Sequence, residues 1–253
     1  MKIYVGTSGY AYKEWRGKFY PEKISPKEML RFYSERLAAV EINNTFYRMP
    51  KESVLVSWGE QVPGGFVFAL KAPQVITHLK RLRDVSEETR YFFRTLSVLD
   101  RKLGPALFQF PKSFRADRSA LEDFLALIPR EMASAFEFRN PSWLNDDILD
   151  LLREKGSSLC IADSDENPVH EIIPTAPWGY LRLRRPDYTD ADLSQWMERI
   201  LSQKWERAFV FFKHEDEAGG AEMAMRFQEL IDSTMKKVDP FNSPVRSPGY
   251  AQG

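Results

Sequence analysis

Short apolar runs rich in β-branched and aromatic residues alternate along the chain with longer amphipathic stretches. Successive runs start about 20 to 40 residues apart, a spacing typical of repeated βα units and not of hairpins. We predict strands at IYVGTS (3–8), AVEIN (39–43), FVFALKA (66–72), PALFQF (105–110), SAFEFR (134–139), SLCIAD (158–163), GYLRLR (179–184) and AFVFFKH (208–214).

Helix signals lie between these runs. Ser25 and Glu28 form a capping box with a proline at the first helical position, which predicts a helix over residues 26–38. Further amphipathic patterns predict helices over 86–104, 145–156, 189–205 and 220–237. Prolines and polar residues at 164–177 predict a loop and a missing helix after the sixth strand.

Eight strands that alternate with seven or eight helices predict a TIM-like (β/α)8 barrel, with an open doubly wound sheet as the competitor. GTSGY after the first strand lacks the spacing of a dinucleotide fingerprint, and no P-loop occurs, so the barrel is favoured. We expect one domain over residues 1–237 and a flexible tail over 238–253.

Each strand divides into two faces because side chains alternate along it. One face is large and apolar, as in Val40 and Ile42, and suits packing against helices. The other face ends in polar residues, which would point to the barrel axis at the carboxyl ends of the strands, where barrel enzymes carry their active sites. These residues are Ser8, Glu41, Asn43, Lys71, Gln109, Glu137, Arg139, Asp163, Arg182, Arg184 and Lys213.

Two other interpretations of these polar strand ends stay open. Each residue could be an ordinary surface charge, or the set could form a mutually compensating structural network. Burying an ion costs roughly several kcal/mol unless the ion is paired or hydrogen-bonded. Substitutions that remove charge would therefore destabilise a structural network strongly.

The balance of charge at the predicted mouth indicates a substrate class. Three carboxylates would face four cations, with Arg184 on the same face but farther out, which gives a mouth near neutral or slightly positive. Such a site suits an anionic or heavily hydroxylated, sugar-like substrate, because guanidinium groups bind phosphate and carboxylate through two hydrogen bonds. The carboxylates are Glu41, Glu137 and Asp163, and the cations are Lys71, Arg139, Arg182 and Lys213.

Candidate catalytic residues follow from the same set. Glu41 and Glu137 are interpreted as an acid and a base facing each other across the mouth, as in a hydrolase or a lyase. Asp163 is a further candidate. Lys71 would form a Schiff base if its pKa were depressed, but nearby carboxylates are expected to raise that pKa, so Lys71 is predicted to stabilise charge.

Loops after the strands add candidate substrate-binding residues. The first loop carries Tyr10 and Trp15 among basic residues, which suits a stacking platform for bases or sugars or, equally, a loop packed on the barrel rim. Tyr47 and Trp143 are also predicted to bind substrate. His78 lies beside Lys80, Arg81 and Arg83, and is interpreted as either a structural or a site histidine.

Composition restricts cofactors, partners and location. Lys plus Arg equals Asp plus Glu at 36 each, so overall charge gives no argument for nucleic acid or a membrane. One cysteine, Cys160, and three histidines are too few for a thiolate cluster or a histidine-rich metal centre, so no cofactor is predicted. HEDE at 214–217 lacks a second histidine, although a divalent cation held by carboxylates stays open. Without a signal-like start, we expect a cytoplasmic protein.

Several blocks together resemble the domain of unknown function 72 family, also called YecE-like. They include VEINNTFYRMP, FALKAPQVITH, LFQFP, FEFRNPSW and YLRLR. The resemblance implies a TIM-barrel-like fold and assigns no reaction. The chain departs from the family pattern at Arg184–Arg185, where a His-Gly pair is often seen, and at residues 213–216. The motif positions are Glu41, Asn43, Tyr47, Lys71, His78, Gln109, Glu137, Arg139, Trp143, Asp163 and Arg182.

Three functional hypotheses result. The leading one is a barrel enzyme that acts by acid-base chemistry on a polar substrate carrying phosphate or carboxylate, or on a sugar-like one. A nucleic-acid-binding or phosphodiester-cleaving protein is the second and is not favoured. The third is a non-catalytic barrel that senses a ligand or binds a partner.

Overall fold

The computed structural model describes residues 1–213 and 218–238. Eight parallel strands close a barrel in sequence order, with the first strand beside the last. This confirms the predicted TIM-like (β/α)8 barrel. The strands are β1 (Lys2–Ser8), β2 (Ala39–Ile42), β3 (Val67–Lys71), β4 (Leu103–Phe110), β5 (Ser134–Phe138), β6 (Ser158–Asp163), β7 (Trp178–Leu183) and β8 (Arg207–Phe212).

Helices follow most strands and cover the outside of the barrel. They are α1 (Met29–Ser34), α2 (Glu52–Gln61), α3 (Ser86–Leu96), α4 (Arg118–Leu127), α5 (Asp146–Lys155), α6 (Asp190–Leu201) and α7 (Gly219–Val238). Residues 164–177, which the structure describes in full, contain no helix between β6 and β7. The prediction of a missing helix after the sixth strand is therefore confirmed.

Two predicted helices have the termini that their sequences indicate. Asn145 caps α5 by accepting a hydrogen bond from the Ile148 N–H, and Gly156 ends it in the left-handed conformation at φ 69°. Thr189 and Asp192 form a reciprocal capping box at the start of α6. α6 nevertheless ends at Leu201, before the predicted residue 205.

Two predicted helix boundaries are wrong. Ser25 donates to the Glu28 carboxylate as in a capping box, yet α1 begins only at Met29. Gly104 does not end α3, which stops at Leu96; it lies within β4. A Cβ at Gly104 would come within 2.4 Å of Val67, so this glycine permits the close approach of β3 and β4.

The barrel encloses an apolar interior that is separate from the layer between strands and helices. It includes small residues such as Ala39 and Ala69 and large rings such as Tyr180 and Phe211. Large apolar side chains such as Val40, Phe68 and Val210 pack outward against the helices, as predicted from alternation. The filled interior excludes a pore and confines the polar strand ends to one mouth.

Pairing is uneven around the barrel. Along the strands as described, β5 and β6 pair only through Ala135–Ser158 and Phe136–Leu159. β7 and β8, by contrast, pair from Trp178–Arg207 to Leu183–Phe212. Pairing between β5 and β6 therefore stops before the carboxyl-terminal ends of both strands, and β6 then leads into the helix-free segment 164–177.

Some predictions concern residues outside the described ranges. They are residues 239–253, which form nearly all of the predicted tail, and HEDE at 214–217, which includes His214. None of the helices in the described ranges is both long and apolar enough to cross a membrane.

We expect Gly6→Ala to destabilise the barrel by roughly 3 kcal/mol or more, the upper part of the range for overpacking. The added Cβ would lie 1.9 Å from the carbonyl oxygen of Ala39 on the neighbouring strand, where only backbone movement could relieve the clash. Urea unfolding measures the change. Gly59→Ala in α2 is the control, since no atom lies within 4 Å of its Cβ, and it should stabilise by about 1 kcal/mol. Equal stabilities of the two variants would contradict this interpretation.

Candidate functional site: the barrel mouth

A buried arginine joins two carboxylates at the centre of the mouth. Arg182 on β7 donates through Nη2 to Glu41 Oε1 at 2.9 Å and through Nη1 to Glu137 Oε2 at 2.5 Å. The three residues are 2%, 0% and 2% exposed, respectively. The structure thus links β2, β5 and β7 through one guanidinium.

Neutral side chains complete the hydrogen bonding of the two carboxylates. Glu41 accepts from the Tyr180 hydroxyl at 2.8 Å and from the Asn43 amide at 3.0 Å. Glu137 accepts from the Gln109 amide at 2.8 Å. Each of the four carboxylate oxygens therefore has at least one donor, as burial of an ion requires.

This bonding fixes the charge of both glutamates. Burial alone would raise the pKa of each, but the positive charge of Arg182 and the hydrogen bonds outweigh it. The pKa of Glu41 is lowered, and that of Glu137 falls to about 2. A group ionised at neutral pH has no proton to donate, so the lowered pKa values do not favour either residue as an acid, and the two residues fit the alternative of a compensating network.

Lys71, at the end of β3, is the titratable group of the mouth. Its Nζ donates to Gln109 Oε1 at 2.8 Å and lies 4.1 Å from the centre of the Phe46 ring. Burial and then the charge of Arg182 lower its pKa to about 8, although Glu137 and Glu41 oppose the shift. The two carboxylates thus raise this pKa as expected, but burial and the charge of Arg182 outweigh them, so the pKa of Lys71 is lowered overall.

Two arginines lie above Glu137 and remain partly exposed. Arg139 Nε is 3.1 Å from Glu137 Oε1, and Arg184 Nη1 is 3.7 Å from the same oxygen. Their side chains are 35% and 27% exposed, so both reach solvent. Arg184, expected to lie too far out, belongs to the cluster.

A cavity of about 710 Å³ opens beside these arginines, between β5 and β6. Glu137, Arg139 and Arg184 line it together with Cys160 and the segment 164–169. Small-molecule sites typically occupy about 300 to 1,000 Å³. The cavity therefore provides a compartment of suitable size on the side of the mouth where Arg139 and Arg184 lie.

Asp163 does not belong to the mouth, which corrects its prediction as a catalytic residue there. Cys160 faces the barrel interior, so Asp163, of opposite parity, faces the other way. Its carboxylate accepts from the Tyr188 hydroxyl at 2.7 Å and from the Val169 N–H at 2.9 Å, and pairs with Arg185. Cys160 lies on the inward face and lines the cavity together with Leu159, Ile161 and Ala162.

Three predicted aromatic binding residues pack into the fold instead. Trp143 is completely buried and donates through Nε1 to the Phe114 carbonyl. Trp15 is 1% exposed and stacks on Tyr20, whose hydroxyl donates to the carbonyl of Tyr10. The stacking-platform interpretation of the first loop is wrong, and the alternative of a loop packed on the rim describes it.

The remaining predicted residues lie around the cluster. Ser8 is buried and pairs in register with Glu41 across β1 and β2. Tyr47 is 76% exposed on the rim. His78 lies in a single π-helical turn, Val75–Leu79, with its ring 4.8 Å from that of Phe46. Lys213 follows β8, and its backbone N–H donates to the Leu183 carbonyl.

Basic residues of the loop after β3 have their own acidic partners. Lys80 pairs with Glu88 at 2.7 Å, and Arg83 pairs with Asp117 at 2.8 Å. Within residues 1–213 and 218–238, no three His, Cys, Asp or Glu side chains converge as a metal site would require. The described side chains thus provide a cationic mouth and no cluster of metal ligands.

Two important contacts were not predicted. Tyr180 precedes Arg182 by two residues, so strict alternation along β7 would have placed it on the same inward face. Phe46 lies in a short 3-10 turn, Asn44–Phe46, where no periodicity indicates direction. Its position beneath Lys71 follows from tertiary structure alone.

Comparison with known proteins gives a consistent family assignment. Residues 4–248 match the family model described as "Protein of unknown function DUF72". UPF0759 protein YecE of Escherichia coli K12 is 29% identical over 178 residues, which cover 68% of this chain and 62% of that relative. UPF0759 protein YunF of Bacillus subtilis is 24% identical, with 91% of this chain and 95% of the relative covered. The match thus spans less than two thirds of the Escherichia coli relative.

Solved structures show the same fold. A DUF72 family protein from Thermotoga maritima is 27% identical, with a TM-score of 0.81 over 92% of this chain and 100% of its own. A second, from Enterococcus faecalis, is 22% identical, with a TM-score of 0.71 over 91% and 98% of the two chains.

Arg182→Met should destabilise the protein by about 3–5 kcal/mol, because it leaves two buried carboxylates without their shared cation. Arg139→Met is the control: Arg139 also contacts Glu137 but is partly exposed, so its loss should cost about 1 kcal/mol or less. Denaturant unfolding at neutral pH compares the two variants. Similar losses would argue against Arg182 as the centre of the network.

Acid should destabilise the protein through Glu137. Its pKa is 4.5 in its ordinary state and about 2 in the fold, so its ionisation stabilises the fold fully above pH 4.5. That stabilisation is lost as the pH falls from 4.5 to 2. Unfolding free energies measured over this range should change less steeply with pH in Glu137→Gln. The exposed, ion-paired Glu122 provides a matched control in Glu122→Gln, which should keep the wild-type slope.

Proposed function

We propose a function for this chain from the geometry of its barrel mouth. The chain belongs to the DUF72 family, whose description assigns no reaction. The site suits an enzyme that binds a small substrate carrying a carboxylate or phosphate at the barrel mouth. Lys71 would exchange a proton with that substrate. The observation that supports this most directly is the surplus of partly exposed cations beside the cavity.

The surplus follows from how the charges pair. With Asp163 on the outer face, two carboxylates remain in the cluster, and Arg182 contacts both. Four cations therefore accompany two carboxylates. Arg139 and Arg184 keep exposed guanidinium surface that a bound anion could occupy, and such contacts are directional as well as attractive.

Proton exchange at neutral pH requires a group that titrates there. Glu41 and Glu137 do not meet this requirement, since their pKa values are lowered. Lys71 meets it, because a pKa of about 8 gives an amine that is neither fully charged nor fully neutral near pH 7 to 8. A reaction in which Lys71 exchanges a proton with the substrate fits these pKa values better than hydrolysis by a pair of carboxylates.

The features that suggested nucleic acid are engaged elsewhere in the fold. Trp15 is buried, and Lys80 and Arg83 pair with acidic neighbours. A small anion therefore fits the site better than a polynucleotide backbone.

We expect wild-type protein to bind 3-phosphoglycerate and lactate, measured by isothermal titration calorimetry at low ionic strength. Arg184→Gln and Arg139→Gln should each weaken binding about tenfold or more, as expected for one charged hydrogen-bonding group. Arg185→Gln is the matched control, because Arg185 is the next residue and equally exposed at 27% but pairs with Asp163 and Asp192.

The same titrations contain the outcomes that contradict the proposal. Absence of binding by wild-type protein to either anion would reject an anion site. Equal weakening in Arg184→Gln and Arg185→Gln would indicate general electrostatic attraction without a defined site.

A further inference from the structure

We propose that Lys71 is a nucleophile that forms an imine with an aldehyde or ketone carrying a carboxylate or phosphate. This inference rests on the proposed anion site and adds the chemical class of the substrate. It assigns to Lys71 the Schiff-base chemistry that the sequence analysis made conditional on a depressed pKa, in place of the favoured role of charge stabiliser.

The immediate contacts of Lys71 suit a nucleophile. Its hydrogen-bond partner is the neutral amide oxygen of Gln109. A lysine that serves to neutralise charge would be expected to contact a carboxylate directly. Here Glu137 is one side chain farther away, behind Gln109, and is occupied by Arg182.

Burial and nearby cations make the amine available. Lys71 is half-buried, and the charges of Arg182 and Arg139 disfavour its ammonium form. Desolvation and a neighbouring cation are the conditions that activate an amine for attack on carbonyl groups. Arg139, which is partly exposed, would also attract the anionic end of the substrate.

We assign proton transfer to His78, because it contacts the same aromatic ring as Lys71. The ring of His78 lies 4.8 Å from the Phe46 ring, edge to face, and Lys71 Nζ lies over that same ring. His78 Nδ1 is 2.8 Å from the Thr77 hydroxyl, which orients the imidazole. Burial and the charge of Lys71 lower the pKa of His78, so its neutral form predominates and can accept a proton.

The proposed step conserves atoms and requires no oxidant or reductant. The neutral amine of Lys71 attacks the carbonyl carbon, forming a C–N bond as the π electrons move to oxygen. The carbinolamine oxygen then leaves as water with the two protons that the amine nitrogen gives up. His78 would carry these protons between nitrogen and oxygen, while Arg139 and Arg184 bind the carboxylate or phosphate.

Reductive trapping tests the proposal on the intact protein. Wild-type protein is incubated with pyruvate or glyceraldehyde 3-phosphate and sodium cyanoborohydride, and adducts are located by peptide mass spectrometry. We expect the adduct at Lys71, with Lys80 as an internal control that is exposed and paired with Glu88. Lactate and glycerol 3-phosphate, which have no aldehyde or ketone group, should leave no adduct, and Lys71→Met should lose the adduct.

Two further variants test the roles of the neighbours. Arg184→Gln should reduce trapping at Lys71 about tenfold, whereas Arg185→Gln should not. His78→Asn should slow trapping by about a hundredfold, at the low end of general acid-base effects, while the final adduct stays at Lys71. Unfolding measurements on Lys71→Met verify that loss of trapping does not arise from loss of the fold.

The outcomes separate this inference from the proposed function. If wild-type protein binds lactate and 3-phosphoglycerate but no adduct forms at Lys71, imine chemistry is overturned and the anion site stands. Adducts spread equally over Lys71 and Lys80 would also overturn it. An adduct at Lys71 that is unchanged in Arg184→Gln would overturn the anionic substrate class. Glyceraldehyde 3-phosphate trapped without pyruvate would narrow that class to phosphates, and the reverse result to oxo acids.

Discussion

The pairing of one buried guanidinium with two buried carboxylates determines the character of this barrel mouth. Arg182 contacts Glu41 and Glu137 on strands that are distant in sequence, and each ion would be costly to bury without the others. Since the three groups form ion pairs and hydrogen bonds with one another, they stay charged although they are buried. The remaining polar residues are arranged around this fixed centre.

The fixed centre separates two kinds of charge. Glu41, Glu137 and Arg182 are held in single protonation states by burial and mutual contact. Lys71 and His78, nearer to solvent and to the Phe46 ring, have lowered pKa values, which favour their neutral forms. Gln109 connects the two sets, because its oxygen accepts from Lys71 while its amide donates to Glu137. Chemistry at the mouth is therefore expected from the outer set, with the inner set supplying a constant field.

Alternation of apolar and polar residues was sufficient to predict the eight strands, the barrel and most of the inward-facing cluster. It failed at Asp163, because SLCIAD has apolar residues on both faces of the strand. The outward direction of the Asp163 side chain is shown only by its contacts with Tyr188 and Arg185. Burial of Trp15 and Trp143 and the position of Phe46 depend on loops that have no periodicity. The lowered pKa of Lys71 depends on which charges lie nearest, and a sequence does not contain those distances.

In a closed barrel every strand normally pairs with both neighbours, so no sheet edge is exposed. The short pairing between β5 and β6 is an exception to this rule. Beyond Phe136–Leu159, as far as both strands are described, their main chains no longer face each other as partners. Two short edges therefore exist within a closed barrel, each offering peptide N–H and C=O groups to whatever enters between them. A ligand in this gap could be held by main-chain hydrogen bonds as well as by arginines, and side-chain substitutions would leave that part of its recognition intact.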